Sequence, residues 1–143
     1  MPTTREPRPR PGSRRPARAR LADGHLADVY SAACPSRQLL DRLADKWSVL
    51  IVGRLERGPQ HFGALRDGID GISEKMLTQT LRSLEHDGLV LRQGTAGTGR
   101  KVVYSLTPLG RTLREPIALL RTWAEGYVDQ VERARAEHER AAG

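Results

Sequence analysis

The sequence contains very little cysteine and few aromatic side chains. Among its 143 residues there is one cysteine, Cys34, and aromatic residues make up 4%. A single cysteine excludes an intrachain disulfide and the disulfide-rich class of small secreted domains. So few aromatic residues favour a helix-rich domain over an enzyme with an aromatic-lined pocket. The length predicts one domain with its own core.

Long hydrophobic runs are absent as well. No segment approaches the roughly 20 apolar residues of a membrane span, and no apolar secretory segment follows the N-terminus. We therefore expect a cytoplasmic protein without membrane contacts. The four histidines are scattered along the chain without the spacing of metal ligands, so we expect neither a metal ion nor a cofactor.

Positive charge is concentrated at one end of the chain. The formal net charge is +7, and residues 1–20 contain seven arginines, five prolines and one glutamate. A basic segment of this kind attracts polyanions such as nucleic acid or an anionic membrane surface. Because it lacks apolar periodicity, it cannot offset its chain entropy, and we predict a disordered arm over residues 1–24. Two roles for the arm stay open, namely phosphate contacts and a solubility tail.

Apolar residues at spacings of three and four predict two helices after the arm. Pro35 suits the first helical position, which makes Cys34 the N-cap of a first helix that continues to Leu43. Asp45 is predicted to cap a second helix, which ends at Gly58-Pro59. The apolar faces of both helices are expected to contribute to a core.

The next segment has the pattern of a helix-turn-helix. A short helix is predicted over residues 61–68, followed by a turn over residues 69–72. Ser73 then caps a fourth helix, which ends at Gly88. Its buried stripe consists of three leucines, Leu77, Leu81 and Leu84.

Two strands and a glycine-rich loop follow. Residues 89–93 and 101–106 are predicted to form a β-hairpin. The loop between them, residues 94–100, is rich in glycine and has a basic end, so it is predicted to be a wing that touches DNA. The phosphate-binding loop of a nucleotide enzyme is disfavoured, because no helix follows at once and the Walker lysine-serine pair is missing.

A long amphipathic helix is predicted after Thr107 and Pro108, which suit a cap and a first-turn proline. Its apolar residues recur over more turns than one small domain can bury, which indicates packing against a second copy of the chain. Pro116 is expected to bend this helix. We assign residues 25–136 to the folded domain and residues 137–143 to a flexible tail.

The face of the fourth helix opposite its leucines carries side chains suited to DNA. Arginine and lysine pair with guanine or phosphates, glutamine pairs with adenine, and hydroxyls reach phosphates. The residues of this helix predicted to contact DNA are Ser73, Lys75, Met76, Thr78, Gln79 and Arg82. Arg100 and Lys101 of the wing would add phosphate contacts that give little sequence discrimination. The alternative is a merely solvated polar face, which the adjoining turn and wing disfavour.

Short motifs occur in a characteristic order between Cys34 and Tyr127. They are Cys34-Pro35, Asp45-Lys46-Trp47, His61-Phe62-x2-Leu65, Gly71-Ile72-Ser73-x-Lys75, Asp87-Gly88-Leu89-Val90 and Tyr104-Ser105-Leu106-Thr107-x2-Gly110. With these motifs in this order, the chain resembles the HxlR-type winged helix-turn-helix regulators of bacteria. The resemblance implies a mainly helical fold with a small β-hairpin, in which the fourth helix and the wing read DNA.

The same resemblance implies a homodimer formed through the first and last helices. The candidate interface residues are Leu39, Leu43, Leu113, Ile117, Leu120, Trp123 and Tyr127. A two-fold dimer is expected to prefer a near-palindromic operator with half-sites about 10 bp apart, or a multiple of that. The sequence departs from the family in its glycine-rich wing and in its arginine-rich arm.

Cys34 is the candidate redox-sensing residue. In several members of this family a cysteine at the start of the first helix senses oxidants or electrophiles, and Cys34 resembles that residue. A helix N-terminus favours the reactive thiolate, and His25 or Arg37 could add to the effect. With one cysteine per chain, the products are an intersubunit disulfide, a mixed disulfide or an alkylated thiol. The alternative is a buried packing or capping residue.

These patterns predict a homodimeric transcription regulator, most simply a repressor, that binds double-stranded DNA and responds to an oxidant or electrophile through Cys34. Two alternatives stay open: a sequence-nonspecific architectural nucleic-acid-binding protein, favoured by the arm, and a regulator that responds to a small ligand without a cysteine switch. An enzyme that uses Cys34 as a nucleophile is disfavoured, because the sequence shows no accompanying base and oxyanion site.

Overall fold

The computed structural model describes residues 15–94 and 102–143. Most of the predicted arm, and the predicted wing loop with Arg100 and Lys101, lie outside these residues. The helices and strands are, in chain order, α1 (Pro35–Leu43), α2 (Lys46–Leu55), β1 (Gln60–His61), α3 (Phe62–Gly68), α4 (Glu74–His86), β2 (Val90–Gln93), β3 (Val103–Leu106), α5 (Pro108–Arg111) and α6 (Arg114–Ala142).

The chain divides into two compact units, the first ending at Asp41 and the second starting at Arg42. In the first unit, Arg20 and Leu26 form an isolated antiparallel bridge around a turn in which Gly24 has a φ of +87°. A positive φ of this size suits glycine, which has no Cβ. The predicted boundary between arm and domain, after residue 24, therefore falls inside a bridged turn.

The core of the second unit lies where α2, α3 and α4 meet the sheet. α2 packs against α4 and α6, and α4 packs against β2. The predicted leucine stripe of α4 is buried in this core, together with one face of α2. The most deeply buried side chains are Ile51, Val52, Leu55, Leu65, Leu77, Leu81 and Leu84. Removal of these apolar surfaces from water is the main force that holds the elements together.

Two of the predicted helix caps are formed by side chains. The Ser73 hydroxyl accepts a hydrogen bond from the Met76 N–H at 3.0 Å, and the Thr107 hydroxyl accepts one from the Gly110 N–H at 3.0 Å. Each bond satisfies a backbone donor that has no partner within the helix. Asp45 also occupies the N-cap position of α2, but its side chain makes no capping bond.

The sheet has three antiparallel strands in the order β1-β3-β2, whereas the sequence predicted a two-stranded hairpin. The additional strand, β1, pairs His61 with Val103. His61 was predicted to begin a helix, because a two-residue strand has no alternation to detect. β1 is defined by its backbone pairing with β3, which lies far from it in the sequence.

The last helix is interrupted, and not where the sequence predicted. The segment is divided into α5 and α6, and at Thr112 and Leu113 the backbone N–H groups bond to carbonyls three residues back. Pro116 lies in the first turn of α6 and has no N–H to donate to the Thr112 carbonyl, which accounts for the break one turn before the proline. α6 continues to Ala142, so residues 137–142 are helical where we predicted a tail.

Candidate nucleic-acid interface

α3 and α4 form the two helices of a helix-turn-helix. The turn between them contains Gly71 at a φ of +82° and buries Ile69 and Ile72. The Arg66 guanidinium of α3 donates to the Glu74 carboxylate in the first turn of α4 at 2.6 Å. Exposed ion pairs of this kind add little stability, so the burial of Ile69 and Ile72 contributes more than this pair to holding the two helices together.

The predicted DNA-contact residues of α4 lie where the sequence placed them. Ser73, Lys75, Met76, Gln79 and Arg82 are exposed, and Thr78 is half-buried beside them. The Ser73 oxygen accepts the capping bond from Met76, which leaves its hydroxyl hydrogen available to a phosphate oxygen. This face of the helix therefore offers hydroxyl, ammonium, amide and guanidinium donors to a ligand.

A cleft of about 300 Å³ separates the exposed face of α4 from the sheet. It is lined by Thr78, Leu81, Arg82, Glu85, Arg92 and Tyr104. Arg92 lies on β2 opposite Tyr104 and is exposed. The structure thus brings the guanidinium groups of Arg82 and Arg92 to the same cleft, where they can bind phosphate oxygens together.

Arg92 is not among the DNA-contact residues predicted from the sequence. β2 is only four residues long, and a single exposed arginine in a short strand is an ordinary solvent-facing residue. Its pairing opposite Tyr104, beside α4, gives it a position that its neighbours in sequence do not reveal. A usable signal was its position just before the glycine-rich loop, in the base of the predicted wing.

The C-terminal end of α4 is held by a bidentate ion pair. The Arg42 guanidinium donates to both carboxylate oxygens of Asp87, at 2.9 and 3.0 Å. Asp87 is the C-cap of α4, where a negative charge opposes the helix dipole and the arginine offsets it. Hydrogen bonding to Asp87 raises the pKa of Arg42.

The environment of Cys34 favours its thiolate. Cys34 is buried and precedes α1; its Sγ accepts a hydrogen bond from the Asp28 N–H at 3.4 Å and lies 3.0 Å from the Ser36 hydroxyl. Hydrogen bonds from the Asp28 backbone, and then from the Ser36 hydroxyl and backbone, lower the pKa of the Cys34 thiol. The lower pKa increases the fraction of the nucleophilic form at neutral pH, whereas the burial of Cys34 is what the alternative of a packing residue predicts.

Arg37 and His25 do not act on the sulfur in the way that the sequence suggested. The Arg37 guanidinium donates to the carbonyls of Val29 and Tyr30, at 2.6 and 3.4 Å, so it holds the turn that carries Asp28. His25 contacts Asp23 at 3.3 Å. Arg37 therefore acts on Cys34 through the backbone, by fixing the turn.

The predicted dimer residues differ in their exposure. Leu39, Leu120, Trp123 and Tyr127 are exposed, and the rings of Trp123 and Tyr127 lie 5.5 Å apart. Leu43 and Leu113 are half-buried against the core of the second unit. Ile117 belongs to that core and is only 8% exposed, so its side chain has little surface left for a partner.

The sequence profile described as HxlR-like helix-turn-helix matches residues 42–132. The chain belongs to this family. The match confirms the resemblance drawn from the motifs, and the helix-turn-helix, the sheet and most of α6 lie inside it. Cys34 lies before the matched residues.

Similar proteins and solved structures agree with this assignment. The chain is 41% identical over 117 residues to the "Uncharacterized HTH-type transcriptional regulator YtfH" of Escherichia coli K12, covering 82% of this chain and 90% of that protein. A solved structure of the transcriptional regulator ytfH from Salmonella typhimurium is 38% identical, with a TM-score of 0.73 and coverage of 77% and 98%. The redox regulator HypR in its reduced form is 34% identical, with a TM-score of 0.63 and coverage of 69% and 98%.

This HxlR-like protein is therefore a transcriptional regulator of the helix-turn-helix type with a winged-helix fold. α4, the second helix of its helix-turn-helix, and the sheet beside it form the candidate DNA interface. Within residues 15–94 and 102–143, no helix is long and apolar enough to cross a membrane.

Proposed function

We propose that this HxlR-like regulator is a homodimeric repressor that reads a near-palindromic operator through α4 and the cleft beside it. The observation that carries the proposal is the placement of Arg82 and Arg92 in one cleft, next to the exposed polar face of α4. Phosphate contacts from such a cleft position the helix, while Lys75 and Gln79 have the chemistry to read base edges.

The proposed dimer rests on the outer surface of α6. Leu119, Trp123 and Tyr127 follow one another at four-residue spacing and are 62%, 56% and 47% exposed. Exposed apolar and aromatic side chains in a stripe are typical of protein interfaces. A two-fold pair built on this stripe would present two copies of α4 to two half-sites.

Cys34 is proposed as the switch that releases the operator. Its thiolate is stabilised by Asp28 and Ser36, and the similar protein HypR is described as a redox regulator. Diamide accepts two electrons and two protons while it joins two thiols in a disulfide. With one cysteine per chain, the second sulfur comes from another copy or from a small thiol.

The test compares binding to a fluorescent duplex carrying the protein's own promoter with binding to unrelated DNA, at one stated salt concentration. We expect preferential binding to the promoter and its loss after diamide treatment. Cys34→Ser should bind as well as the parent and should be insensitive to diamide. Release of the Cys34→Ser variant by diamide would remove this residue from the switch, and equal binding to both duplexes would favour the architectural alternative.

The cleft is tested by removing one of its charges. Arg92→Ala should weaken promoter binding. It should also make the negative slope of log affinity against log salt shallower by about 1, because one phosphate contact is lost. Arg133→Ala removes the same charge from an exposed position on α6 and is the matched control. An identical salt slope for Arg92→Ala and the parent would show that Arg92 does not contact DNA.

A further inference from the structure

A second concavity, here called the α2/α6 groove, lies between α2, α6 and the end of α3. Its volume is about 900 Å³, which falls within the range of pockets that hold small organic molecules. Its apolar walls come mainly from α2 and α6 and include Val49, Leu50, Ile117, Leu120 and Ala124. Walls of this chemistry suit the hydrocarbon part of a ligand.

Arg54 also lines the α2/α6 groove, and its environment is unusual. Its Nε is buried and has no hydrogen-bond partner within the part of the chain that the structure describes. The guanidinium lies directly on the backbone of Gly68, the last residue of α3, where a Cβ would collide with it. Buried donors without a partner are rare in folded proteins, so the Arg54 guanidinium has hydrogen-bonding capacity that the described residues do not satisfy.

The other charges of the groove leave Arg54 without a carboxylate. Arg121 contacts Glu56 at 3.4 Å and Glu125 at 3.9 Å, so both glutamates already face a cation. Among the described residues, no carboxylate lies within ion-pair distance of Arg54. The remaining charged lining residues, Arg57 and Asp70, are exposed.

We propose that the α2/α6 groove binds a small organic anion, with its carboxylate or sulfonate on Arg54 and its aromatic or aliphatic body against the apolar walls. Arginine is suited to such acids because its donors match their oxygens in a planar fork. Gly68 is followed by the turn into α4, so the acid would bind next to the helix-turn-helix. An effect of the bound anion on DNA binding would rest on the proposed function, whereas the binding of the anion to the groove does not.

The test titrates the full chain with two fluorescent probes of similar shape, anionic 1-anilinonaphthalene-8-sulfonate and neutral N-phenyl-1-naphthylamine. We expect saturable binding of the sulfonate that weakens about tenfold or more in Arg54→Gln, because a charge-assisted contact is lost. Binding of the neutral probe should be unchanged. Arg133→Gln, which removes an exposed charge outside the groove, should bind both probes as the parent does.

Two further measurements keep the result unambiguous. Circular dichroism melts establish that each variant is folded, and Arg54→Lys, which keeps the charge, should retain more sulfonate affinity than Arg54→Gln. Equal sulfonate affinity in Arg54→Gln and the parent would overturn the proposal. So would dissociation of a dimer by the sulfonate in sedimentation equilibrium, because it would show that a second copy of the chain occupies the groove.

Discussion

At the scale of single residues, the hydrogen bond that does most to lower the pKa of Cys34 depends on how a neighbouring turn is held. Arg37 donates to the carbonyls of Val29 and Tyr30 and thereby keeps the Asp28 N–H on the sulfur. The lowered pKa of Cys34 means that the thiolate is present at a lower pH than for a free thiol. Arg37 is thus a positioning residue, because it acts through the backbone.

We predict that Arg37→Ala raises the pKa of the Cys34 thiol toward its ordinary value. The thiolate fraction at neutral pH then falls, so alkylation by iodoacetamide at pH 7 should slow severalfold and the midpoint of its pH profile should move upward. Arg20→Ala is the control, because Arg20 bonds the Gly24 carbonyl in the same unit. Superimposable pH profiles for Arg37→Ala and the parent would contradict the assignment.

At the scale of elements, the close approach of α5 to the sheet requires a glycine. A Cβ on Gly110 would collide with the Leu89 carbonyl, which is also the acceptor of the Thr107 N–H at 3.0 Å. A backbone carbonyl that is already engaged cannot move aside cheaply. The contact fixes where the chain leaves β3 and therefore where α6 begins.

Gly110→Ala should lower the free energy of unfolding by about 1–3 kcal/mol, as overpacking commonly does. Gly126→Ala is the matched control, since Gly126 lies within α6 with open space at its Cβ position. It should raise stability by up to about 1 kcal/mol, because alanine is the better helix former. Urea denaturation measures both, and equal effects of the two substitutions would refute the contact at Gly110.

At the scale of the whole molecule, the proposed dimer depends on the stripe of α6 that includes Trp123. Loss of a tryptophan at the centre of an interface commonly costs about 2 kcal/mol or more, which corresponds to roughly 30-fold weaker association. Trp123→Asp should therefore dissociate the dimer in sedimentation equilibrium and weaken binding to a two-half-site operator. Leu109→Asp changes a side chain on α5 of nearly equal exposure, 57% against 56%, and should leave the dimer intact. A monomeric parent protein would exclude the interface altogether.

Local features were predictable from the sequence because their causes are local. The leucine spacing of α4, its Ser73 cap and the Thr107-Pro108 start of α5 depend on residues within one or two turns of each other. The exposed polar face of α4 followed from the same periodicity. The ordered motifs likewise identified the family from the sequence alone.

Other features were decided only by the tertiary structure, because they depend on residues far apart in the chain. The pairing of β1 with β3, the burial of Ile117, and the cleft that joins Arg82 to Arg92 each bring distant segments together. The unpartnered Arg54 against Gly68 is a further case. Hydrophobic periodicity shows which face of an element is buried, but which distant element covers that face follows from packing of the whole core.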